Sequence, residues 1–130
     1  MTIIVAYASR PEGRAALEKG IEIASRRKEK LIVVNASAGG SQDDKAMMLG
    51  SEVEELEGYL AKSGADAEFK QFVRGKEALE EIMDLVEATK ASLLIIGLRK
   101  RSPVGKLFLG SVAQDILLNV PCPVLAVKAV

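Results

Sequence analysis

A chain of 130 residues is long enough for one hydrophobic core and too short for two, so residues 1–130 are expected to form a single domain. Eighteen Lys and Arg balance eighteen Asp and Glu, which removes any global pull towards nucleic acid or an anionic membrane surface. The absence of histidine excludes Ser-His and Cys-His catalysis, and the single cysteine, Cys122, excludes an internal disulfide.

The apolar run Ile3 to Tyr7 reads as a first strand. It is too short for a signal core and lacks a basic lead-in. No apolar stretch approaches the roughly 20 residues that span a bilayer. These features, with the lone cysteine, lead to an expected cytoplasmic location and no membrane partner. Leu17, Ile21 and Ala24 then recur at helical spacing, and Arg26, Arg27 and Lys28 close that helix favourably for its dipole. Leu31 to Val34 is a second strand, followed by an irregular stretch from Ala36 to Asp44. Leu49, Val53, Leu56 and Leu60 predict a second helix, capped by Asp43 or Asp44 and followed by Gly64, where a left-handed residue is wanted. Its Glu52, Glu54, Glu55 and Glu57 read as a solvated face, and Met47 and Met48 as filling core or interface space.

Phe69 to Val73 is a third strand whose partial alternation suits a position near an edge. Ala78, Ile82, Leu85 and Val86 mark a third helix, and Leu93 to Ile96 a fourth strand. A second irregular stretch runs from Leu98 to Leu109. Ala113, Ile116, Leu117 and Val120 form the stripe of a fourth helix, with Ser111 at or just inside its start and Pro121 ending it. Val124 to Val127 is the last strand.

Regular β-α alternation predicts an α/β fold, a doubly wound parallel sheet with helices on both faces. Ligands in such folds bind beyond the carboxyl ends of the strands, where strand order reverses. Both long irregular stretches follow strands and so belong at that edge. The second, from Gly97 to Val112, carries Arg99, Lys100, Arg101 and Lys106 into a helix that begins near Gly110-Ser111. Free helix N–H groups, glycines and a positive field suit an anion or phosphate. The same features also describe an ordinary solvated loop with Ser111 as a cap, and the two readings weigh about equally. A Walker A loop is excluded, because Leu107 follows Gly105-Lys106 and position 100 is Lys. Asn35 reads first as a turn residue at a strand end, Cys122 as a small buried residue, and Asp115 as a surface position on the last helix.

The segment from Gly97 to Val127, ending Pro121-Cys122-Pro123-Val124-Leu125-Ala126-Val127, resembles the C-terminal signature of the universal stress proteins. Ile3 to Tyr7 with Arg14-Ala15-Ala16-Leu17 is similar to that family's first strand and helix. The resemblance implies an adenine nucleotide alpha hydrolase-like sheet in the order 3-2-1-4-5. It also implies a homodimer formed through the last strand, Val124 to Val130. The nucleotide-binding branch of the family carries G-x2-G-x9-G-[ST]. Here Gly97, Gly110 and Ser111 match, and Lys100 replaces the second glycine. The branch's Asp at the end of the first strand corresponds to Ala8, while Asn35 and Ala36 correspond to the adenine pocket. What the resemblance implies is therefore a regulatory stress-response module holding ATP or AMP, with Mg accompanying ATP. Its expected site is Ala8, Asn35, Gly97, Arg99, Lys100, Gly110, Ser111 and Val112. The alternative is a dimeric interaction protein that has lost the nucleotide, which Ala8 and Lys100 favour. Enzymatic activity is expected to be absent or at most that of a slow ATPase, since no base, metal cluster or activated nucleophile is evident.

Overall fold

The computed structural model describes residues 1–8, 10–36, 50–72, 78–101, 106–108 and 111–129. The elements alternate as β1 (Thr2–Ala6), α1 (Pro11–Arg27), β2 (Lys30–Ala36), α2 (Gly50–Lys62), β3 (Ala67–Phe72), α3 (Ala78–Thr89), β4 (Ala91–Arg101), β5 (Lys106–Phe108), α4 (Ser111–Asn119) and β6 (Val124–Lys128). Parallel pairing runs β3-β2-β1-β4, and β6 continues the sheet alongside β4. The five parallel strands thus take the expected order, with β6 as the fifth.

The strands read as apolar runs because both their faces are covered. Ile3, Ile4, Val5, Leu31, Val33 and Val34 are fully buried. Successive residues go to opposite sides. Ile3, Val5, Leu31, Val33 and Ile95 pack with Ala16, Leu17 and Ala24 of α1 and Leu56 and Leu60 of α2. Ile4, Ile32, Val34, Leu94, Ile96 and Leu98 pack with Ile82, Leu85 and Val86 of α3 and Ile116 of α4. Right-handed crossovers require this division, α1 and α2 on one face and α3 and α4 on the other. Gly20 lets α1 settle on the sheet, since a Cβ there would lie 2.5 Å from Val5 Cγ2.

The helix ends follow the local chemistry. Pro11 occupies the start of α1, where a missing N–H is harmless. Lys28 adopts a left-handed φ of 54° after α1 and donates its N–H to the Ala24 carbonyl. Gly64 follows α2 at φ 82°, as its place in the sequence predicts. The expected caps Asp43 and Asp44, together with Met47, Met48, Leu49 and Val73, lie outside the described residues.

Three differences from the sequence reading stand out. β4 continues to Arg101, and Arg99, Lys100 and Arg101 pair antiparallel with Phe108, Leu107 and Lys106. Part of the stretch expected to be irregular is therefore a β-ribbon. Its basic residues gave no apolar signal, yet backbone pairing needs none. Leu117, expected in the stripe of α4, is 44% exposed, and Leu118 is 81% exposed. Asn35 is no turn residue but a fully buried residue within β2.

Candidate functional site

β1 and β4 are neighbours, but the chain leaves them in opposite directions. From β1 it passes through α1 to β2; from β4 it passes through α4 to β6 on the other side. Their carboxyl ends therefore frame the crevice where strand order reverses, the favoured ligand position in an open parallel sheet.

The β1 wall is built by a tight turn. The Ala8 carbonyl accepts a hydrogen bond from the Arg10 N–H at 2.8 Å, and the Arg10 carbonyl accepts from the Arg14 N–H at 2.9 Å. Gly13, in the first turn of α1, lies directly over Ala8; a Cβ at position 13 would overlap the Ala8 carbonyl. Gly97 of β4 lies against Glu12 in the same way, and a Cβ there would overlap the Glu12 carbonyl. The two glycines together draw the start of α1 down onto the ends of β1 and β4. Gly97 is thus occupied in admitting a helix. Gly13 was missed in the sequence, because the need for it arises from how closely α1 packs on the Ala8 backbone.

Asn35 forms the β2 side. It donates from Nδ2 to the Tyr7 carbonyl at 2.9 Å, and its Oδ1 accepts from Gln71 Nε2 of β3 at 3.3 Å. Gln71 was the other residue that sequence reasoning missed, because its role depends on the β2–β3 register, in which Asn35 faces Gln71.

On the β4 wall, Leu94, Ile96 and Leu98 alternate into the α3–α4 cluster, while Ile95 joins the α1–α2 cluster. β4 continues beyond Leu98 to Arg101. Ser111 and Val112 are the first two residues of α4, whose N–H groups lack partners within the helix. Gly110 lies outside the described residues. The structure therefore brings Ala8, Asn35, Gly97, Arg99 and Lys100 to the carboxyl edge and starts α4 at Ser111.

The remaining groups are structural. Asp115 is exposed, and its backbone carbonyl accepts from Asn119 Nδ2 at 2.9 Å. Cys122 packs partly buried beside the α3–α4 cluster, and burial pushes its thiol pKa up, the reverse of what a reactive thiol needs. No group of three or more metal-ligating side chains occurs among the described residues. An open cleft of about 580 Å³ is lined by Tyr7, by Arg14 of α1 and by residues of α2, and there the Arg14 guanidinium sits 4.3 Å over the Tyr59 ring. Among the described residues, Glu52, Glu54 and Glu55 line it with Arg14 and Lys62, a field that does not favour phosphate.

Comparison with known proteins agrees with this architecture. A universal stress protein from Mycolicibacterium smegmatis is 49% identical over 126 residues, 97% of this chain and 96% of that protein. The structure of a universal stress protein from Archaeoglobus fulgidus superposes with a TM-score of 0.78 at 31% identity, covering 98% of this chain and 97% of the other. A second Archaeoglobus fulgidus universal stress protein, solved in complex with dAMP, superposes with a TM-score of 0.72 at 25% identity, covering 98% and 96%. No helix among the described residues is long and apolar enough to cross a membrane. The model of the universal stress protein family matches residues 1–128, and the chain belongs to that family.

Proposed function

We propose that this universal stress protein is a regulatory module that binds an adenine nucleotide, ATP or AMP, in the crevice between the carboxyl ends of β1 and β4. The observation that carries this reading is the arrangement of that crevice. β4 ends in the basic run Arg99 to Arg101 at the carboxyl edge of the sheet, and the next helix, α4, begins at Ser111. A helix start offers free N–H donors and about half a positive charge, which suits a phosphate. The Archaeoglobus fulgidus relative in complex with dAMP supports an adenine nucleotide as the ligand class.

In this reading Gly110, Ser111 and Val112 offer the phosphates their backbone, and Ser111 adds a hydroxyl. Lys100 replaces a backbone approach by a point charge. Arg99 adds to the positive field. Ala8 and the end of β2 at Asn35 and Ala36 flank the nucleoside. With Ala8 in place of a carboxylate, β1 presents no negative charge at its end, so Mg enters with ATP's own phosphates. The module works by presenting a surface that changes with the bound nucleotide, and hydrolysis is at most slow.

The test is substitution at the closing glycine. Gly110→Val puts a branched side chain where, in this reading, the phosphate meets the backbone. It is expected to abolish Mg-ATP binding in calorimetry while the melting temperature of the unliganded protein holds. Unchanged binding would remove the site from the crevice.

We also propose that the protein pairs with a second copy through β6. This strand pairs with β4 on one side, and among the described residues no strand covers its other edge. Its exposed residues are Ala126 and Lys128, a thin defence for an open edge. Antiparallel pairing with the same strand of another copy covers both edges at once. A dimer that has lost its ligand is the competing account, and nucleotide titration separates the two.

A further inference from the structure

Asn35 stands out because nothing in the packing of β2 asks for a polar residue there. Leu31 to Val34 before it are apolar and buried, and Asn35 itself is 0% exposed. A buried amide is unfavourable unless its donors and acceptors are bonded. The bonds it makes are informative. Tyr7 donates its N–H to the Val34 carbonyl at 2.8 Å, continuing the ladder between β1 and β2. The Tyr7 carbonyl is then held by the Asn35 side chain rather than by the ladder alone. The other end of the amide is held by Gln71 of β3. One side chain thus ties together the ends of three adjacent strands. It does so at Tyr7, just past the end of β1 and one residue before Ala8.

We propose that Asn35 is a positioning residue for the nucleoside half of the bound nucleotide. It sets the backbone around Ala8 and Ala36 to receive base and ribose, without itself touching them. This rests on the reading of the crevice as an adenine nucleotide site. It differs from a purely structural role in one respect. Losing the tie weakens adenosine and ATP by the same factor, because both share the nucleoside. Losing Lys100 weakens ATP alone.

The experiment is calorimetric titration of the full chain with adenosine and with Mg-ATP, at a temperature where each variant is folded by circular dichroism. Asn35→Ala, and Asn35→Asp at pH 8, are expected to lower both affinities by about tenfold or more, as the Tyr7 carbonyl loses its donor. Asn35→Asp carries a further signature. Its buried carboxyl titrates above the ordinary carboxylate range, and the protonated form regains an O–H that can donate to Tyr7. Its affinity therefore recovers as pH falls from 8 towards 5, while the native protein shows no such recovery. Gln71→Leu, which removes only the outer anchor, loses less affinity in the same pattern and serves if the Asn35 variants fail to fold. If native protein binds the nucleotide and folded Asn35 or Gln71 variants bind equally well, or lose ATP but not adenosine, the proposal falls and the nucleotide site stands. If native protein binds neither ligand, the nucleotide reading fails and the proposal with it.

Discussion

Gly97 shows how a residue's sequence context can point to one role and its surroundings to another. As the first glycine of a phosphate-loop pattern it suggests contact with a ligand, but in the fold its open side is filled by the Glu12 backbone. Gly97→Ala is therefore expected to push α1 away and destabilise the protein by about 1–3 kcal/mol in urea unfolding, ligand or no ligand. Stability unchanged in the absence of nucleotide would contradict this. Cys122 makes a second prediction. Its folded thiol pKa is raised by burial, so the unfolded thiol ionises first as pH rises. The contribution is fully present below the unfolded value and is lost from about pH 8.5 upwards. Cys122→Ala is expected to lessen the fall in melting temperature between pH 8 and pH 10, and an identical fall in both proteins would count against it. At this scale the sequence is only partly legible. The buried apolar residues announce themselves by type. The roles of Gly13, Gly97, Asn35 and Gln71 arise from segments distant in the chain, and composition carries no trace of such contacts.

Among the elements, legibility follows hydrophobic periodicity. Helices with a clear stripe and strands buried on both faces stood out, and the order of alternation was enough to give a parallel sheet. The β4–β5 ribbon did not stand out, because Arg99, Lys100 and Arg101 are held by backbone pairing with Phe108, Leu107 and Lys106. In the last helix the apolar spacing includes Leu117, which the fold leaves exposed. Ile116 is its buried anchor, whereas Leu117 points partly and Leu118 almost wholly outwards. Leucines in one fold should therefore behave differently. Leu17→Ala removes a fully buried side chain between α1 and the sheet and is expected to cost about 2–5 kcal/mol. Leu118→Ala, 81% exposed, should stay within about 0.5 kcal/mol under the same conditions. Equal losses would mean that α4 is seated otherwise than described.

For the molecule as a whole, two features set the functional reading: an edge of β6 that no described strand covers, and a crevice where the strand order reverses. The edge predicts a dimer at micromolar concentration in analytical ultracentrifugation, and a monomer under those conditions would overturn the pairing through β6. The crevice was legible in advance as a place, because topology alone locates it. Its contents were less so, since Lys100 and Ala8 each alter the nucleotide-binding pattern and their joint effect depends on geometry. The measurement that bears most directly on the account is calorimetric titration of the purified protein, freed of co-purified nucleotide, with Mg-ATP and then AMP. The expected result is saturable binding that is lost in Gly110→Val and raises the melting temperature of the native protein only, as a ligand of the folded state must. No heat with either nucleotide, together with an unmoved melting temperature, would mean that the crevice has no adenine ligand and that the protein acts through its dimer surface alone.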